Sequence, residues 1–104
     1  MAEWIDVCSE ADLPVGGRKV VATDIGNIAV FNLNGDLCAI ADICTHDGGE
    51  LASGECDGDE IICPRHGARF CIRNGKSLTP PAYEDIETFP VLIKAGMVQV
   101  DIDS

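Results

Sequence analysis

The chain holds two histidines, His46 and His66, and each follows closely on a cysteine. The first knuckle reads Cys44-Thr45-His46 and the second Cys63-Pro64-Arg65-His66, with the sixteen residues 47–62 between them. Thiolate and imidazole are the soft side-chain donors that hold zinc and iron, so this pairing points to a metal centre closed by two loops. A single zinc ion could take two Cys and two His tetrahedrally. Structural zinc sites, however, usually pair Cys with Cys and His with His. A mixed knuckle suits a two-iron cluster with uneven ligation, in which each loop sends its Cys to one iron and its His to the other. Chance proximity of ordinary core residues is the bland third reading.

The rest of the chain reads as short strands punctuated by turns. Residues 4–8 (WIDVC), 18–24 (RKVVATD), 27–33 (NIAVFNL) and 36–41 (DLCAIA) are apolar and rich in β-branched residues, as strands prefer. Asn34-Gly35 between the last two is a hairpin signal, because both residues tolerate a positive φ. Segments 60–64 and 68–72 bracket the second knuckle, and Asn74-Gly75 marks a further turn. Residues 87–94 (ETFPVLIK) turn at Ala95-Gly96 into 97–102 (MVQVDI), where Val98, Val100 and Ile102 share one face. The glycine-rich stretch 47–58 is expected to be irregular, and 9–14 to form at most one helical turn. The expected fold class is all-β, a small antiparallel sandwich or barrel, in one domain spanning 1–104.

Composition narrows the function. A hydrophobic share of 46% and a charged share of 24% describe an ordinary globular chain. No apolar run approaches the roughly 20 residues of a membrane span, and the acidic N-terminus lacks a signal peptide's basic and apolar regions. A cytoplasmic location is expected. There, six cysteines are better metal ligands or buried thiols than a disulfide framework. A net charge of −11 excludes nucleic acid and anionic membrane surfaces as natural partners, since both need a basic footprint. It either keeps the protein soluble or steers it toward a basic docking face.

The spacing Cys44-x-His46, then Cys63-x-x-His66 after sixteen residues, resembles the signature of Rieske [2Fe–2S] proteins. The approach DLCAIADICTH, the turn at 74–76, the Pro80-Pro81-Ala82 segment and the terminal FPV hairpin resemble small Rieske ferredoxins over nearly the whole chain. The resemblance implies a Rieske fold with a β-sandwich or barrel base and a cluster-binding subdomain at about 43–72. It implies that Cys44, His46, Cys63 and His66 ligate one [2Fe–2S] cluster, with Pro80 and Pro81 covering it and the histidine edges at an exposed tip. Two ferric ions, two sulfides, two thiolates and two neutral imidazoles sum to zero charge. That makes reduction easier than in an all-thiolate cluster at −2, and Rieske potentials accordingly span about −150 to +300 mV.

High-potential members of the family carry Ser and Tyr hydroxyls two and four residues after the second ligand His, and a disulfide joining the two loops. Here the hydroxyl positions are Ala68 and Phe70, and the disulfide positions are Gly49 and Arg65. The chain therefore resembles the low-potential soluble branch. The resemblance implies a non-enzymatic, monomeric one-electron shuttle between an NAD(P)H-dependent flavoprotein reductase and a terminal Rieske non-haem iron oxygenase, such as one hydroxylating aromatic rings. With no further His, a separate 2-His-1-carboxylate iron site is excluded. The small subunit of an assimilatory nitrite reductase and a zinc-stabilised interaction domain are the alternatives.

Of the remaining cysteines, Cys8, Cys38 and Cys71 read as small buried hydrophobes, and Cys56 as an exposed thiol, either incidental or redox-sensitive. Positions 47–62 hold Asp47, Glu50, Glu55, Asp57, Asp59 and Glu60 without a Lys or Arg. That loop is either a solvated acidic stretch or a docking rim. Arg69 and Arg73 alternate with Phe70 and Ile72, which reads as a solvated face.

Overall fold

The computed structural model describes residues 2–44, 49–65, 67–79 and 84–103. His46, His66, Asp47 and the Pro80-Pro81 segment lie outside them.

Ten strands run through the described residues: β1 Trp4–Ser9, β2 Arg18–Thr23, β3 Gly26–Leu33, β4 Asp36–Ala41, β5 Cys56–Asp57, β6 Glu60–Ile62, β7 Arg69–Cys71, β8 Thr88–Phe89, β9 Val91–Lys94 and β10 Met97–Asp101. They form three antiparallel sheets, ordered β1-β10-β9, β2-β3-β4-β8 and β5-β6-β7. The expected helical turn is a short 3₁₀ segment, Glu10–Asp12, capped by the Ser9 hydroxyl accepting from the Ala11 N–H.

The second sheet is the middle layer, and the reason is written in β3. Its run Ile28-Ala29-Val30-Phe31 is apolar without alternation because both faces are covered. Ile28 and Val30 point into one core, with Ala39, Phe89, Val98 and Val100. Ala29 and Phe31 point into the other, with Ile40, Leu51, Ile61, Phe70 and Ile72. The first core glues the two larger sheets into a sandwich base. The second mounts the small β5-β6-β7 sheet and the knuckle loops on the opposite face. Between β3 and β4 the chain turns through Asn34 (φ 55°) and Gly35 (φ 101°), as the hairpin signal predicts.

Several expectations need correction. The stretch 87–94 is not one strand. Pro90 offers no N–H to a ladder, so pairing breaks there: β8 joins β4 in the middle sheet and β9 joins β10 in the outer one. The strand expected at 97–102 stops at Asp101, leaving Ile102 half-buried against the base core. The stretch 47–58 is not wholly irregular, because Cys56 and Asp57 pair with Ile61 and Glu60 to complete the small sheet. Cys8, Cys38 and Cys71 are half-buried instead of buried. Burial nevertheless pushes the Cys8 and Cys38 thiols up, so both stay protonated at neutral pH.

Candidate metal centre

The two cysteines open loops of the same span. The Cys44 N–H donates to the Gly49 carbonyl at 2.6 Å, and the Cys63 N–H donates to the Ala68 carbonyl at 2.7 Å. Each loop thus closes five positions beyond its cysteine, and each encloses one of the two histidines in sequence. A second bond, from the Gly67 N–H to the Cys63 carbonyl at 3.0 Å, tightens the second loop. Position 49, where a high-potential protein would place a bridging cysteine, is here the hydrogen-bonded end of the first loop.

Both thiols are buried: Cys44 is 0% exposed and Cys63 is 2% exposed, in one apolar cluster with Leu51, Ala68 and Phe70. Nineteen positions apart in sequence, they both belong to the fold's second core. Two thiolates in such a place would be prohibitively desolvated without a cation. The iron of an iron–sulfur cluster is a partner that both supplies the charge and takes thiolate donors. The described part of the donor set therefore fits a [2Fe–2S] cluster. The structure brings Cys44 and Cys63 together; His46 and His66 lie outside the described residues.

The segment joining the loops is held from both sides by groups that spacing did not single out. Asp42, itself buried, accepts from the N–H groups of Leu51 (2.7 Å) and Ala52 (2.8 Å). Arg18, at the start of β2, donates to the carbonyls of Ala52 (2.7 Å) and Gly54 (2.6 Å). Gly54 packs so closely on the Ile62 carbonyl that a Cβ there would collide with it, so no other residue fits without moving the backbone. We expect Asp42→Ala to destabilise the protein by about 3 kcal/mol, because two buried N–H groups lose their acceptor. Asp42→Asn, which keeps an acceptor oxygen, should cost distinctly less. Denaturant unfolding of the two variants checks this, and equal losses would mean that the carboxylate's hydrogen bonds are not what matters.

The arginines after the second knuckle are not an idle solvated face. Arg69 pairs with Asp57 (3.0 Å) and Glu60 (3.3 Å), and Arg73 bridges Asp59 (2.8 Å) to Asp36 (2.9 Å). Hydrogen bonds to these carboxylates push both guanidinium groups to still higher pKa. Exposed pairs of this kind add little stability each. Their effect is on charge: Asp57, Asp59 and Glu60 are matched within the fold, while Glu50 and Glu55 remain exposed. Arg73 also ties the small sheet to the β3–β4 hairpin, on the side of the middle sheet that holds the second core.

Ala68 and Phe70 are both 0% exposed, on the β7 side of the thiol cluster. Neither side chain can donate a hydrogen bond. Cys56 is exposed, as expected, with its sulfur 3.1 Å from an Arg18 nitrogen. Partial burial pushes its thiol up and the Arg18 charge only partly offsets this, which argues against a reactive thiolate.

Comparison with known proteins gives a consistent picture. Residues 3–90 match the family described as the Rieske [2Fe–2S] domain. The ferredoxin subunit of 3-phenylpropionate/cinnamic acid dioxygenase from Photorhabdus laumondii is 37% identical, over 92% of this chain and 91% of its own length. Among solved structures, a chain from the complex of reduced oxygenase and oxidized ferredoxin in carbazole 1,9a-dioxygenase superposes with a TM-score of 0.88 at 32% identity, covering 94% of this chain and 92% of that one. The Sphingomonas yanoikuyae B1 ferredoxin superposes with a TM-score of 0.86, also at 32% identity, covering 95% of this chain and 98% of that one.

Proposed function

We propose that this chain, which belongs to the Rieske [2Fe–2S] domain family, carries single electrons from an NAD(P)H-dependent flavoprotein reductase to a terminal Rieske non-haem iron oxygenase. The observation that carries this reading is the pair of buried thiols, Cys44 and Cys63, opening matched loops, in a chain whose relatives along nearly its whole length are ferredoxin components of dioxygenase systems. We assign the ligands as Cys44, His46, Cys63 and His66, within a cluster-binding part at about 43–72 of a single domain spanning 1–104.

When bound, a [2Fe–2S] cluster supplies a one-electron couple. The chain's own work is to hold it. Cys44 and Cys63 present their sulfurs from the interior, where Leu51, Ala68 and Phe70 exclude water. His46 and His66 follow each cysteine in sequence and complete the proposed ligand set. The protein acts as a cytoplasmic monomer that meets its partners by diffusion. Reconstitution tests this: with a dioxygenase-system reductase and its oxygenase, NAD(P)H-driven product formation should depend on this protein. Failure to support turnover, together with stable co-elution with a nitrite reductase large subunit, would place it in that complex instead.

The −11 charge gives a second test. Glu50 and Glu55, exposed beside the loops, should favour a basic docking face and speed encounter. Electron-transfer rates should fall about threefold to tenfold from low to high salt, since exposed charges are screened beyond about 8 Å at physiological ionic strength. A flat rate would leave the charge only its role in solubility.

A further inference from the structure

We infer that Arg18 is a positioning residue for the iron–sulfur centre, acting through the segment that joins the two ligand loops. The inference rests on the assignment of Cys44 and Cys63 as ligands, and it concerns a residue that touches neither.

Arg18 lies on β2, opposite Phe31 of β3, and its guanidinium carbon stands 5.4 Å from the centre of the Phe31 ring. That stacking fixes the head group over the middle sheet. From there its nitrogens reach 34 and 36 positions along the chain to the Ala52 and Gly54 carbonyls, at 2.7 and 2.6 Å, and to the Cys56 sulfur at 3.1 Å. Charge-assisted bonds this short are among the stronger ones a protein makes, and a planar fork serving several acceptors at once is something a lysine cannot reproduce.

The held segment leads to both cysteines. At one end, Ala52 is gripped twice, its N–H by the Asp42 carboxylate and its carbonyl by Arg18. Leu51, next to it, is 0% exposed and packs in the cluster that holds both thiols. Its carbonyl accepts from the Gly54 N–H at 2.9 Å. At the other end, the Glu55 carbonyl accepts from the Ile62 N–H at 2.9 Å, and Ile62 is bonded directly to Cys63. Asp42 in turn lies two positions before Cys44. An anion from one side and a cation from the other thus set the segment against the base, and the segment sets Leu51 and the approach to Cys63. Without the guanidinium, the Ala52 and Gly54 carbonyls would have to find water, and the segment could lift from Phe31. Outer groups that orient metal ligands commonly change metal affinity 10–100-fold.

The experiment compares the holoprotein with Arg18→Gln, Arg18→Lys and Cys56→Ala. Each is followed for loss of visible absorbance on adding an iron chelator, and for the EPR line width of the reduced state. Arg18→Gln should lose its cluster about tenfold faster than the wild type, with broadened lines from a spread of ligand geometries. Arg18→Lys, which keeps the charge and can refill one carbonyl, should fall between the two. Cys56→Ala should match the wild type, because sulfur is a weak acceptor. Unchanged cluster loss and line width in the Arg18→Gln protein would overturn the inference, including when its melting temperature falls, since that would make Arg18 a brace of the fold alone. If Arg18→Gln does not fold, Arg18→Lys decides, and wild-type behaviour in it would equally overturn the role. A wild-type protein with no Rieske-type EPR signal would instead overturn the ligand assignment on which the inference rests.

Discussion

Cys63→Ala, and separately Cys44→Ala, should purify colourless, without stoichiometric iron or acid-labile sulfide. On the proposed assignment each thiolate is one of the two that a Rieske cluster requires, and the cluster of buried residues around them is apolar, with Leu51, Ala68 and Phe70 among its members. The loss should extend past the metal. Because ligand binding is coupled to folding, the loops closed at Gly49 and Ala68 should loosen, and the β5-β6-β7 sheet mounted on them should lose amide protection before the sandwich base does. Single replacements of Cys8, Cys38, Cys56 or Cys71 should leave the spectrum unchanged, for these thiols are half-buried or exposed and lie outside the loops. Iron and sulfide assays with the visible spectrum check the whole set. Full cluster content in Cys63→Ala would remove the assignment.

The midpoint potential should lie near the low end of the Rieske range, on the order of −150 mV. Hydroxyl donors near the cluster sulfurs favour the reduced state, which carries the extra negative charge. At Ala68 and Phe70 the chain provides none, and both positions are shut off from bulk solvent. The same burial makes the reverse experiment sharp. A hydroxyl added at either place is shielded from solvent in the same buried cluster as the two cysteine sulfurs, which are the acceptors this prediction tests. If each new bond favours the reduced state by about 1 kcal/mol, the one-electron scale of about 59 mV per tenfold change in equilibrium gives about 40 mV per hydroxyl. Ala68→Ser with Phe70→Tyr should therefore raise the midpoint by about 80 mV. Protein-film voltammetry measures both numbers. A wild-type midpoint above zero would mean that other donors outweigh the missing hydroxyls.

Much of this was legible in the chain. Alternation and turn chemistry gave an all-β fold, and Asn34-Gly35 marked its hairpin because few residue pairs accept two positive φ angles in succession. The mixed knuckles drew attention to Cys44 and Cys63, which the fold brings into one buried cluster. The break at Pro90 was readable, since a proline inside an apolar run argues against an unbroken strand, yet the change of sheet depends on which partner each half finds. Cys56–Asp57 is a strand only because β6 lies beside it; two residues are too few to carry a periodic signal. Asp42 and Arg18 were invisible for a different reason. Each acts on backbone atoms, and a side chain bonding to an N–H nine or ten positions on, or to a carbonyl 34 positions away, leaves no residue pattern behind. The pairing of Arg69 and Arg73 with the acidic loop left a fainter trace: a run of acids followed at once by spaced arginines is charge-complementary, though only the sheet register decides who meets whom.

Because the chain has only two histidines, His46 and His66, uniform ¹⁵N-histidine labelling reads both expected imidazole ligands at once. Pulsed EPR of the reduced protein should show nitrogen couplings from two directly bound imidazoles, each changing isotope signature with the label. A paramagnetic cluster without such couplings, or a colourless protein holding one zinc ion, would contradict the account.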